Sequence, residues 1–275
     1  MLINLHKWWS TIKVSWVKYT TYKLNFFLTI IGPSLVFFFV KYNLWSSIYG
    51  PAENKLMIQG FNFDQMINYH LWAFIISLVA SGFASWNLSD DIRLGRISSY
   101  LIYPFNFWEF HTASWMGFQV LQIIIAGVTL SSCIFFGVIT LPALDLLITG
   151  VAFTTFISLF WFTLQYFTGI LAFWLEETWI LRVILSIIAT FLSGAIIPLD
   201  LFPDYLVSFL SYTPFPYLSY YPIKIFQGEQ VDLFRGIVMI SSWTLIMATL
   251  NHYVWKRSFR KRRFLSDTPY VRWYF

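Results

Sequence analysis

The chain has 275 residues, of which 58% are hydrophobic, 22% aromatic and only 11% charged, and its mean hydropathy is +0.64. Soluble domains carry about a quarter charged residues, so this composition excludes a soluble enzyme and fits an integral membrane protein holding roughly six helices of about 20 residues. The net charge of +5 suits a nucleic-acid binder only where a folded basic surface presents it, and its placement along the chain points elsewhere. The single cysteine, Cys133, lies in an apolar run and excludes an intrachain disulfide.

Residues 1–23 predict an amphipathic helix. On a helical wheel Leu5, Trp8, Trp9, Ile12, Trp16 and Tyr19 share one arc, with Lys7 and Lys18 opposite. Such a helix lies in the membrane interface with its tryptophans among the headgroups. No cleavable signal peptide is expected, because the first long apolar run starts only after this Lys- and Trp-rich segment. Spans are predicted at residues 24–42 (with Gly32 and Pro33 as a kink), 69–88, 112–140 after an interfacial approach from 105, 147–174, 179–197 and 233–255. All-α architecture follows, as one permease domain over residues 1–275.

Six spans put both termini on one side. That side takes Lys7, Lys13, Lys18 and Lys23, then Arg93, Arg96 and Arg182, then the tail cations from Lys256 to Arg272, fourteen of the eighteen Lys and Arg. Lys41, Lys55, Lys224 and Arg235 fall on the other side. The positive-inside rule makes the termini cytoplasmic. The run KRSFRKRR at 256–263 then reads as a topology anchor on anionic lipid, not a nucleic-acid patch.

Residues 193–228 break the pattern of spans. Pro198, Pro203, Pro214, Pro216 and Pro222 are five of the ten prolines; each removes a backbone donor and resists helix continuation. The pieces between them are too short to cross about 30 Å of hydrocarbon. Broken backbone at membrane depth needs protein or a water-filled cavity beside it, so this stretch is expected to be a re-entrant or interfacial element on the outer side.

Groups for chemistry are sparse. His6, His70, His111 and His252 have no metal-ligand spacing, no thiol cluster accompanies them, and neither GxSxG nor HExxH occurs. No catalytic residue and no metal site is expected. All thirteen carboxylates fall in loops or at predicted span ends, which argues against an ion-coupled carrier, since such proteins place ionisable groups within the membrane. The interior polar groups are neutral, among them Gln119, Gln122 and Gln165, and suit helix–helix hydrogen bonds. No GxxxxGK[ST] phosphate loop is present, so ATP chemistry would need another chain.

The order of elements resembles the membrane subunit of a type-2 ABC exporter, and within that group the six-span bacterial ABC-2 family transporter proteins. Two stretches carry the likeness. One is S-G-A-I-I-P-L-D-L-F-P at 193–203 with T-P-F-P-Y at 213–217 and Y-P-I-K-I-F-Q-G at 221–228; the other is D-D-I-R-L-G-R-I-S-S-Y-L-I-Y-P at 90–104. Tyr103 departs from the family's pattern, which often has an arginine before this proline.

The resemblance implies that the second stretch is a coupling helix seated in an ATPase subunit, with Asp90, Asp91, Arg93, Leu94, Gly95 and Arg96 at the contact. Asp90 and Asp91 are expected at its N-terminal end, where they suit the helix dipole, and Leu94, Ile97, Leu101 and Ile102 form an apolar ridge. Glu176 and Glu177 offer a second contact. It implies an outer gate built from Ser193, Gly194, Pro198, Asp200, Pro203, Asp204, Pro214, Pro216 and Pro222, with Asp200 and Asp204 held in the outer headgroup layer. The expected partners are an ABC ATPase subunit, a second permease and membrane lipid, with no nucleic acid. ATP and Mg would bind the ATPase, with no cofactor in this chain, and the bacterial inner membrane is the expected location. With no buried charge foreseen, the aromatics favour an apolar, amphiphilic or aromatic-cation cargo. The rival readings are a lipid or glycan flippase or extractor, and an ATP-independent carrier or channel.

Overall fold

The computed structural model describes residues 2–21, 23–50, 57–80, 86–100 and 106–263. Among them every regular element is helical: α1 (Leu2–Thr21), α2 (Lys23–Tyr49), α3 (Phe63–Ala80), α4 (Trp86–Arg93), α5 (Ile97–Tyr100), α6 (Phe107–Phe135), α7 (Leu144–Ile170), α8 (Trp179–Leu192), α9 (Asp204–Leu210), α10 (Phe215–Leu218), α11 (Tyr220–Phe226) and α12 (Leu233–Arg263). Among the described residues three segments are long and apolar enough to cross a bilayer: Phe107–Phe135, Leu144–Phe173 and Leu233–Ser258. The 14 residues of α8 reach only about 21 Å as a helix. α2 and α3 occupy the positions of the first two expected spans.

Several boundaries differ from the expectation. α2 runs from Lys23 to Tyr49, seven residues past the expected end at 42. α3 ends at Ala80, and Leu88 belongs instead to α4, where it is fully buried. α6 starts at Phe107 and not at 112, because Glu109 accepts a hydrogen bond at 3.4 Å from the Asn106 backbone N–H and satisfies one of the free donors of the first turn. α12 carries the basic run onward as helix to Arg263. Leu101 and Ile102 lie outside the described residues.

α7 is the central post, packing on α3, α4, α11 and α12, while α6 holds α1 on one flank and α3 on the other. α3 is the most enclosed helix, with Met66, Tyr69, Trp72, Ile76 and Leu78 buried almost completely. Its Trp72 lies flat on Phe226 of α11, with centroids 4.5 Å apart and planes 2° from parallel. In a bilayer, where apolar burial drives association weakly, helices are joined by close approach and by polar contacts. Gln119 of α6 donates to the Val79 carbonyl at 3.0 Å, and Asn251 of α12 donates to the Thr163 carbonyl at 2.9 Å. α1 meets α6 through Ser15 and Ser114, 3.0 Å apart. A β-carbon at Gly117 would lie 2.9 Å from the Ile12 carbonyl oxygen, so the approach depends on glycine.

The bundle has two distinct ends. One gathers α1, α4, α5, the start of α6 and the close of α12, where Trp255 stacks on Phe107 at 4.9 Å. The far end gathers the approach to α3, the α6–α7 connection and residues 193–232.

Candidate functional site: two ends joined by one helix

α4 is amphipathic over a very short length. Leu88 and Ile92 are buried completely in a cluster with Tyr166, Ile170 and Phe162 of α7. Leu88 fills a notch at Gly169, where any β-carbon would collide with its Cδ2 and Cγ. Asp90, Arg93, Leu94, Gly95 and Arg96 all face outward, and Leu94 is 66% exposed.

The polar side chains hold this short element in place. Gly95 takes φ +69° and ends α4 at Arg93. Asp90 and Asp91 therefore sit in its second half, which corrects the expectation that they head the helix. Asp91 instead closes the turn into α5: it accepts a 2.7 Å hydrogen bond from the Tyr100 hydroxyl and pairs with Arg96 at 3.6 Å. Arg93 meets Glu177 at 3.4 Å, joining the two segments that the sequence singled out separately. Glu176 stays exposed beside it. Arg182 of α8 reaches back to the Ser89 hydroxyl at 3.4 Å. With about half of each partner exposed, the Arg93–Glu177 pair contributes on the order of 0–1 kcal/mol, so the apolar seat of Leu88 and Ile92 carries the attachment.

At the far end the five prolines do not spoil a span; each stands at the start of an element. Pro198 and Pro203 precede a 3₁₀ turn (Leu199–Leu201) and α9, Pro214 and Pro216 open α10, and Pro222 lies in the first turn of α11. In a first turn the missing N–H would have no intrahelical acceptor anyway. Asp204 lies exposed in the first turn of α9.

The turn after α8 is held from three directions. Gly194 has φ +79°, which favours glycine. Its carbonyl accepts from the buried Tyr69 hydroxyl at 2.8 Å, the Ser193 carbonyl from the Tyr220 N–H at 3.0 Å, and the Ala195 carbonyl from the Lys41 ammonium. The Ser193 hydroxyl adds contacts to the Thr190 carbonyl and to Ser219.

Asp200 does not simply face the headgroups. It accepts from the Tyr220 hydroxyl at 2.7 Å and pairs with Lys224 at 3.3 Å, while Lys224 also meets Glu229 at 2.8 Å. Burial, then the bonded Asp200 carboxylate, raises the Tyr220 phenol above its ordinary range. The Lys224 ammonium lies 5.2 Å from the Phe61 ring centroid and 5.4 Å from that of Tyr220. This cluster walls a polar pocket of about 730 Å³ that includes Asp64, Asn68 and Gln227.

Lys41 and Lys224 are thus buried lysines, and Lys224, paired with two carboxylates, corrects the expectation that no charge is buried. The partner of Lys41 lies on an element distant in sequence, Ala195 being 154 residues away, whereas Asp200 and Glu229 lie in the same region as Lys224. His70, a packing residue by its spacing, accepts a 2.7 Å hydrogen bond from the Trp45 indole. Among the described residues no three His, Cys, Asp or Glu side chains come together as a metal site.

A helical membrane bundle without a nucleotide-binding loop, with a charged short helix at one end and a many-jointed element at the other, has the parts of a transport subunit. The model of the ABC-2 family transporter proteins matches residues 35–264, and the chain belongs to that family as a transmembrane permease of an ABC transporter. Membership implies an ABC ATPase as its partner. Comparison with curated proteins finds no match.

Proposed function

We propose that this chain is the permease half of an ATP-driven exporter in the bacterial inner membrane, paired with a second permease of the same or related sequence and driven by ATPase subunits that bind ATP and Mg. The observation that carries the reading is the double engagement of α7. Near its end α7 takes Leu88 of α4 in the Gly169 notch, and near its start it takes the Phe226 ring against Gly150, where a β-carbon would come within 2.5 Å of ring atoms. The nineteen residue steps from Gly150 to Gly169 span about 28 Å of helix. A push on α4 therefore reaches the 193–228 element through one stiff rod, and packed helices respond by moving as bodies.

The Lys and Arg bias supports a cytoplasmic α4 end, with α4 and the 176–177 turn as the surface offered to an ATPase and the far end as the outer gate. Leu94 supplies an apolar knob there, and Arg93 and Arg96 supply charge. Purification of the tagged chain in mild detergent should recover an ABC ATPase and a second permease with it. Recovery of the chain without any ATPase contradicts the proposal.

A further inference from the structure

Between α2, α3 and α8, directly beneath the turn after α8, lies a cleft of about 400 Å³. Its walls are mostly apolar, from Phe37, Phe74 and Ile187 among others, and it opens sideways, since Phe37 is 42% and Ile187 61% exposed. Two ionisable side chains line it, Lys41 and His70, and no carboxylate does.

Both present unused donors. Lys41 is 7% exposed, forms no ion pair among the described residues, and gives one hydrogen to the Ala195 carbonyl while lying 4.4 Å from the Phe37 ring centroid. An ammonium has three donors, so further hydrogens remain for a ligand. His70 is 1% exposed and accepts from Trp45 at Nε2. The neutral ring then carries its proton on Nδ1, and that atom is buried without a partner. A lysine amine without a counter-ion and an unpartnered N–H in an apolar, membrane-embedded cleft are costly to leave unmatched. The missing counterpart is an anion, and the sideways opening between α2 and α8 suits an attached apolar tail.

We infer that this cleft binds an anionic amphiphile, with its carboxylate or phosphate on Lys41 and His70 and its tail lying between α2 and α8 towards lipid. The site uses no ATPase, so its test is separate from that of the export reading. The full chain, purified in a neutral maltoside detergent, is titrated with dodecanoate, dodecyl phosphate, phosphatidylglycerol and dodecyltrimethylammonium. Binding of the anions but not of the ammonium is expected. Phosphatidylglycerol alone among the anions identifies the source as membrane lipid, and binding of the single-chain anions identifies a smaller amphiphile; either outcome supports the site. Lys41→Met should weaken anion binding at least about tenfold, the scale of one lost charge-assisted hydrogen bond, and Lys41→Arg should largely restore it. His70→Phe, which leaves the Lys41–Ala195 contact in place, should also weaken binding. Equal binding of dodecyltrimethylammonium, or unchanged anion affinity in a folded Lys41→Met or His70→Phe chain, overturns the inference.

Discussion

Reversing two charges on the α4 face, with Arg93→Glu and Arg96→Glu together, should lower the ATP turnover of the purified complex at least about tenfold, corresponding to roughly 1.4 kcal/mol of interface stabilisation. Insertion and yield should hold, because α4 is attached through Leu88 and Ile92, which are buried completely, and not through the half-exposed Arg93–Glu177 pair, while Asp91 keeps its Tyr100 hydrogen bond when Arg96 is replaced. A companion variant separates two roles for Arg93. Arg93→Glu with Glu177→Lys rebuilds the internal pair in reverse, yet leaves a partner facing the wrong charge at 93. Turnover should stay low in that variant. Full recovery there, or wild-type turnover in the double reversal, would show that these arginines do not contact the ATPase.

The second large effect is expected at Lys224. Lys224→Met leaves Asp200 and Glu229 without their shared cation in a site where the ammonium was 93% buried. Removing one partner of a buried ionic cluster costs about 3–5 kcal/mol. Asp200 and Glu229 remain 30% and 51% exposed, so water relieves part of the cost and about 3 kcal/mol is expected. The readout is the midpoint of thermal unfolding in detergent. Adding Asp200→Asn and Glu229→Gln to Lys224→Met should recover most of the loss, since the stranded charges are then gone. A single Lys224→Met chain as stable as wild type contradicts a stabilising ionic cluster at this position.

Helix positions were legible from apolar runs, and the charged face of α4 from its local pattern, because both arise from neighbours in sequence. What was hidden depends on partners far away. A lysine beside an apolar run reads alike whether it snorkels to headgroups or, as Lys41 does, turns inward onto a carbonyl of another helix. Asp200 read as a headgroup contact because nothing in the local pattern shows that the Tyr220 and Lys224 side chains turn onto it, although both lie in the same short region. The prolines were legible as breaks in the chain. Each signals that a helix cannot continue through it, and the folded chain uses each where a new helix begins. Gly95 was visible as part of a motif; its positive φ ends α4 at Arg93, and because the helix begins at Trp86, Asp90 and Asp91 lie in its second half. Gly169 and Gly150 carried no local signal, because what makes them matter is Leu88 and Phe226 arriving from other elements.

Coupling through α4 requires that its exposed face meets an ATPase. A photocrosslinking amino acid at Leu94, which is 66% exposed, should capture an ABC ATPase in intact membranes. The same group at Tyr205 of α9, 78% exposed at the far end, should capture none. An ATPase adduct at Leu94 alone is the predicted result; no ATPase adduct at Leu94, or one from Tyr205 instead, would contradict the proposed coupling surface.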